Sequence, residues 1–172
     1  MTTDFVEACK GANLYYIKEC FYDKINITEE EYDLGFEQAC CKGNFEIVSW
    51  LYNFKPKHIK INYNSAFSCA SYYGCFDIVK YLYIKKLINV DDHPTLFSLA
   101  IKSKNLDFVK WVLLLKKEDL KEYVNDICYY GTLEILEYLY SINPDIIKNK
   151  DDAIMNAELV GNNEIIKWIR SK

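Results

Sequence analysis

Apolar and polar positions along this chain recur in register roughly every 30 residues. A small or apolar residue opens each copy: Ala8, Ala39, Ala70, Ala100, Ile127 and Ala157, at separations of 31, 31, 30, 27 and 30 residues. Four positions on stand Ala12, Gly43, Gly74, Lys104, Gly131 and Gly161. The whole chain has 6 glycines and four of them share this slot, so the slot demands a backbone property. A glycine there ends one helix in the left-handed conformation. The next column, Asn13, Asn44, Cys75, Asn105, Thr132 and Asn162, is mostly of the type that caps a following helix. Glu46, Asp77, Asp107, Glu134 and Glu164 then suit the positive end of that helix. The slot predicts a helix–turn–helix corner.

The second helix of each copy carries fixed apolar columns. One is Ile47, Ile78, Phe108, Ile135 and Ile165; the next is Val48, Val79, Val109, Leu136 and Ile166. An aromatic column (Trp50, Tyr81, Trp111, Tyr138, Trp168) and an aliphatic one (Leu51, Leu82, Val112, Leu139, Ile169) follow, which makes a broad buried stripe. The first helix shows Phe5, Phe36, Phe67, Phe97, Val124 and Ile154, three before the opening residue. All three prolines, Pro56, Pro94 and Pro144, fall between copies, with Pro94 expected at a helix start after the cap residues Asp92 and His93. One helix pair cannot bury these faces alone, whereas stacked pairs can. The first copy has Glu19 and Cys20 in the aromatic and aliphatic columns, as expected of a terminal cap with a wetter outer face.

The segments "ACCKGNFEIVSWL" and "ASYYGCFDIVKYL", with "AIKSKNLDFVKWV", "ICYYGTLEILEYL" and "AELVGNNEIIKWI", resemble the helical half of ankyrin repeats. The resemblance covers nearly the whole chain. It implies an all-α, ankyrin-like solenoid of six stacked helix–turn–helix repeats in a single domain, 1–172, with repeats near 1–27, 28–60, 61–91, 92–117, 118–146 and 147–172. The family's Thr-Pro-Leu-His opening and its closing Gly-Ala segment are absent, so reduced or missing β-turn fingers are expected. Degraded repeats in a chain rich in Lys, Asn and Ile look like those abundant in large DNA viruses and some protists.

In ankyrin-like repeats the two positions before the glycine slot face the concave groove. Here the resemblance makes Tyr72, Tyr73, Tyr129 and Tyr130 the candidate anchors, Lys42 and Lys102 rim charges, and Leu159 and Val160 apolar groups open to a partner. Tyrosine suits the task because it gives large contact area with few rotors and tolerates one wet end. The function implied is non-catalytic recognition of a partner protein, a host protein if the chain is viral. The alternative is a structural or self-assembling protein associating through its terminal repeats.

Composition narrows the partner class. The hydrophobic fraction is 51%, so a packed core is expected. The net charge is -4 with lysines scattered, which leaves no footprint for nucleic acid. The apolar run Val112–Leu115 is far too short to span a membrane, and Asp4, Glu7, Lys10, Lys18 and Glu19 interrupt any secretory leader. The 7 cysteines, an odd number without framework spacing, fit a reducing compartment. A monomer in the cytoplasm is expected, the host cytoplasm if viral.

Candidate chemistry is sparse. Cys9, Cys40 and Cys128 share the column after the opening residue and read as small buried packing groups. With His58 and His93 the only histidines, no zinc pattern converges. Glu29-Glu30-Glu31 and Asp91-Asp92 read as loop or helix-start residues, and no phosphate loop or nucleophile motif accompanies them. No catalytic residue, metal or cofactor is expected. Trp50 and Trp111 read as packing residues; if fully buried, Trp111→Ala would cost roughly 3–5 kcal/mol.

Overall fold

The computed structural model describes residues 2–172; Met1, which opens the expected first repeat, lies outside them. Among the described residues twelve α-helices follow one another in six pairs: α1 (Thr2–Lys10) with α2 (Leu14–Tyr22), α3 (Glu29–Cys41) with α4 (Phe45–Phe54), α5 (Tyr63–Tyr72) with α6 (Phe76–Ile84), α7 (Leu96–Lys102) with α8 (Leu106–Leu115), α9 (Val124–Tyr130) with α10 (Leu133–Ile142), and α11 (Lys150–Leu159) with α12 (Asn163–Ser171). Short 3-10 turns at Val90–Asp92, Leu120–Tyr123 and Pro144–Ile146 occupy linkers where fingers would stand, and no strand forms among the described residues. The helices divide into two compact units, Met1–His93 and Pro94–Lys172. In the first, the inner helices α1, α3 and α5 stack in order; in the second, α7, α9 and α11 do.

The corner slot behaves as its composition requires, with one exception. Gly43, Gly74 and Gly161 take φ of 74, 72 and 67°, and Ala12 and Lys104 adopt the same left-handed backbone at 59° despite carrying a Cβ. The turn is closed by a 6→1 bond to the opening residue's carbonyl. Asn13, Asn44, Cys75 and Asn162 donate their backbone N–H to Ala8, Ala39, Ala70 and Ala157 at 2.8–2.9 Å. The outer helices α2 and α6 end the same way: Ile25 donates to Cys20 and Leu87 to Leu82, across left-handed Lys24 and Lys86. Gly131 departs from the expectation, with φ −75° and ψ −175°. Its need for glycine is steric, since a Cβ there would stand 2.6 Å from the carbonyl oxygen of Ile127.

Capping divides the next column by what each side chain finds. Asn13, Asn105, Thr132 and Asn162 accept from backbone N–H groups of their helices. Asn44 and Cys75 make no side-chain cap. Instead they reach back to the preceding inner helix. Asn44 Nδ2 donates to the carbonyls of Cys9 and Lys10 at 2.8 and 3.0 Å, and Cys75 Sγ donates to that of Cys41 at 3.6 Å. Asn162 does both, donating from Nδ2 to Gly131 at 3.4 Å. The column therefore ties neighbouring pairs together as well as starting helices.

The apolar columns of the second helices are buried throughout. The aromatic column is only half-buried and packs between repeats: Trp50 meets Phe21 edge-on at 4.8 Å, Tyr81 meets Tyr52 at 5.8 Å, and Trp168 meets Tyr140 at 5.0 Å. Partial exposure reduces the expected cost of Trp111→Ala below the figure for a wholly buried core aromatic. Among first-helix residues, Phe5, Phe36, Phe67 and Phe97 are buried but Val124 and Ile154 only partly, their place in the core being taken by Ile127, Cys128, Ala153 and Ala157. Cys20, expected on a wetter face, is buried, and Phe21 rather than position 19 carries the ring that meets Trp50. Pro94 precedes α7 by two residues, and Asp92 belongs to a 3-10 turn rather than a cap.

A further column, unread in the sequence, lies seven before the opening residue. Tyr32, Tyr63 and His93 each pack a ring on the phenylalanine of the preceding repeat: Tyr32 on Phe5 at 5.9 Å, Tyr63 on Phe36 at 5.8 Å and His93 on Phe67 at 4.5 Å. In the second unit Tyr123 packs on Phe97 at 4.7 Å. Tyr32 is wholly buried, and its hydroxyl donates to the Leu51 carbonyl at 2.8 Å. Glu31 serves the start of α3 in a capping box with Thr28, as expected of a helix-start cluster.

The corner slot yields opposed predictions. Lys104→Gly should raise stability by about 0.5–1 kcal/mol, because the strain of a Cβ at positive φ outweighs glycine's added chain entropy. Gly131→Ala should lower it by about 2–3 kcal/mol through the backbone clash. Urea melts of both variants check the pair of signs. Ser71, wholly buried with an unpartnered hydroxyl in the column of Cys9 and Cys40, supplies another case. Ser71→Ala should stabilise by about 1 kcal/mol in the same assay.

Candidate protein-binding site

The ends of the inner helices place the expected recognition residues on the surface. Lys42 caps α3, Tyr72 ends α5 and Tyr73 caps it, Lys102 ends α7, Tyr129 and Tyr130 end α9, and Leu159 and Val160 end α11. They project because the corner turns the chain away one or two residues later, through a left-handed residue in every copy but the fifth. Tyr72 and Tyr73 are 64% and 60% exposed, and Leu159 69%. Side chains that large leave water-exposed apolar surface that the fold itself does not use.

The structure brings some of these residues together. Tyr72 and Tyr73 pack edge to face at 5.1 Å, and Tyr129 and Tyr130 at 4.6 Å. Lys102 Nζ sits 4.5 Å above the Tyr130 ring, a cation–π contact between two of the candidate residues. Val160 joins Tyr129 and Tyr130 around a hollow of about 310 Å³ that Lys104 and Glu164 also line. In the first unit Lys42 and the Tyr72–Tyr73 pair end adjacent inner helices.

A second set of exposed apolar groups ends the outer helices: Tyr22, Phe54, Ile84, Leu114 and Ile142 are between 51% and 86% exposed. Sequence reasoning passed over them. Their signal was a constant distance of 14 or 15 residues from the opening residue of each copy.

No reactive thiol arises in the cysteine column. Burial pushes the Cys9 thiol up to about 12 and that of Cys128 to about 11, and raises that of Cys40, so all three stay protonated and pack as small apolar groups. Two cysteines differ from the expectation of free thiols: Cys41 and Cys69 form a disulfide between α3 and α5. Glu37 is the third member of this cluster, its carboxylate oxygen and the two sulfurs all lying within 4.8 Å of one another. His93, which stood beside an acidic pair in the sequence, lies instead on Phe67, with Nδ1 3.3 Å from Ser68 Oγ and Nε2 3.4 Å from Asn64 Oδ1. Among the described residues no helix is long and apolar enough to cross a membrane.

Helix pairs stacked through fixed columns, with variable exposed residues at the inner ends, define a helical-repeat scaffold. Comparison with known proteins makes the class specific. The family model described as ankyrin repeats, in 3 copies, matches residues 36–126. A protein of Acanthamoeba polyphaga mimivirus, described as an ankyrin repeat protein, is 31% identical over 86 residues. That alignment covers 48% of this chain but only 22% of the relative, so the chain spans a small part of that protein's length. No solved structure matches. The chain belongs to the ankyrin-repeat family. Ankyrin repeats in general mediate protein–protein interaction and are typically non-enzymatic.

The buried thiols predict an alkaline weakness. Their native affinity for the proton exceeds that of the unfolded chain, whose thiols titrate near 9.0. The associated stability is therefore complete below that pH and is lost as pH rises from about 9 to about 12. Urea midpoints should fall between about pH 8 and about pH 10.5. The fall should be shallower in a Cys9→Ala, Cys128→Ala variant; an equal slope would assign the loss to other groups.

Proposed function

We propose that the inner-helix ends bind a partner protein, with the tyrosine pairs Tyr72–Tyr73 and Tyr129–Tyr130 as anchors. The observation that carries this reading is that the four rings are exposed while the aliphatic columns of the second helices are buried. Each pair is braced by its own edge-to-face contact, and Lys102 further holds Tyr130, so docking orders few rotors. Lys42, Lys102 and Lys104 around these rings favour a partner segment that is apolar with acidic flanks. Leu159 and Val160 extend the apolar part in the second unit. The similarity to a mimivirus protein supports a host protein as the partner and the host cytoplasm as the place of encounter. Binding is by a monomer and involves no catalysis.

Affinity capture from an amoebal lysate tests the proposal, comparing the natural chain with Tyr72, Tyr73, Tyr129 and Tyr130 all changed to alanine. Circular dichroism establishes that the variant keeps its helices. The expected outcome is a captured protein whose retention falls at least about tenfold in the folded variant, since truncating a hot-spot tyrosine costs about 2 kcal/mol or more. Equal retention would move the interface to the outer-helix ends at Tyr22, Phe54, Ile84, Leu114 and Ile142.

A further inference from the structure

Outside the proposed groove, the most concentrated chemistry on the molecule is the Cys41–Cys69 pair with Glu37. Cys41 lies one before the α3 cap Lys42, and Cys69 lies one turn before Tyr72 and Tyr73 on α5. Their Cα atoms stand 5.2 Å apart, inside the range that a disulfide spans without backbone movement. The stacking of adjacent inner helices sets that separation, so the thiols remain neighbours when the bond is open. Cys41 is 7% exposed and Cys69 is more open, so a reagent from solvent reaches Cys69 first. Cys9, Cys40 and Cys128 lie buried at other positions and are out of reach. A composition that fits a reducing compartment makes a lasting structural bridge improbable there, and a bond formed in such a compartment is usually transient.

We propose that Cys41 and Cys69 are a thiol–disulfide exchange site whose substrate is a low-molecular-weight disulfide such as oxidised glutathione. The Cys69 thiol gives its proton to water, and the thiolate attacks one sulfur of the small disulfide. The small disulfide's S–S bond breaks, a mixed disulfide forms at Cys69, and one small thiolate leaves and takes up a proton. The Cys41 thiolate, its proton likewise passed to water, then attacks Cys69 Sγ and expels the second small thiol. Two protein thiols are oxidised to one disulfide while one small disulfide is reduced to two thiols. Closure joins α3 to α5 covalently beneath Lys42 and Tyr72–Tyr73; reduction by excess small thiol reverses it. A metal centre is the competing use of the same three groups. It is disfavoured because structural zinc takes four ligands, and because the third group, Glu37, already accepts a hydrogen bond from Ser65 Oγ. The exchange rests on sulfur placement alone and stands whether or not the groove binds a protein.

The test starts from full-length protein reduced with dithiothreitol, desalted and titrated with oxidised glutathione, with intact-mass and peptide mapping as readouts. The expected product is about 2 Da lighter than the reduced chain, carries no glutathione, and yields a linked peptide containing Cys41 and Cys69. Cys41→Ser should trap one glutathione on Cys69, the stalled intermediate, and Cys69→Ser should give no internal link. Circular dichroism of each variant separates loss of chemistry from loss of fold. A link that instead involves the half-exposed Cys75, or a folded chain that accumulates adducts without closing, would overturn the proposal. So would stoichiometric uptake of zinc by the reduced chain that blocks exchange.

Discussion

Four of the six helix pairs are closed by one backbone bond, the 6→1 hydrogen bond that returns to the carbonyl of the residue opening the copy. Making it requires a left-handed residue one step earlier, and that requirement is the origin of the glycine column. Where Ala12 and Lys104 stand in the slot, the chain accepts a Cβ at positive φ rather than give up the turn. The fourth copy shows how local the solution is: Ser103 Oγ takes the Ala100 carbonyl, and the Asn105 N–H turns to Ser103 Oγ. The fifth abandons the left-handed residue altogether and lets Thr132 start α10 from extended backbone. The reversal of direction is what all six copies share. Five reach it through a left-handed residue, and the fifth does not.

Once the chain reverses, the two helices of a pair present apolar faces that only another pair can cover. The cover is built from contacts of three kinds on three levels. Deepest are the phenylalanines of the inner helices, each meeting the ring of Tyr32, Tyr63, His93 or Tyr123 from the next copy. At the corners, Asn44, Cys75 and Asn162 donate to carbonyls of the preceding inner helix, which removes the cost of leaving those helix ends unpaired. On the outer side the half-buried Trp50, Tyr81 and Trp168 close the seam. The chain fixes spacing by ring packing and orientation by hydrogen bonds.

The sequence disclosed what repeats with a constant residue type and hid what repeats with a changing one. The helix pairs, their corners and the Ile-Val-x-x-Leu stripe were legible because glycine and aliphatic residues are hard to replace there. The ring column at Tyr32, Tyr63 and His93 went unread because one member is a histidine and because the shortened step moves Tyr123 to a different offset. Asn44 and Asn13 look alike in sequence, yet one bonds across repeats and the other caps its own helix. The Cys41–Cys69 bridge was illegible for the same reason. Its partners occupy unlike columns of neighbouring copies, two after and one before the opening residue, and meet only through stacking. The surface positions of the candidate site were legible as variable positions, whereas the lysine lying over Tyr130 was not.

These levels confine the freely variable positions to the helix ends. The columns leave no freedom in the interior: a residue changed there is answered by a cavity or a clash. The last turn of an inner helix is different, because the corner directs the following backbone away and leaves most of its side chains open to water. In three of the six copies, at Lys10–Gly11, Cys41–Lys42 and Lys102–Ser103, those positions carry short or charged groups. Tyr72–Tyr73 and Tyr129–Tyr130 instead place paired rings there, held by each other rather than by the core. That exposed aromatic surface, braced ring against ring within each unit, is the feature on which the proposed docking of another protein rests.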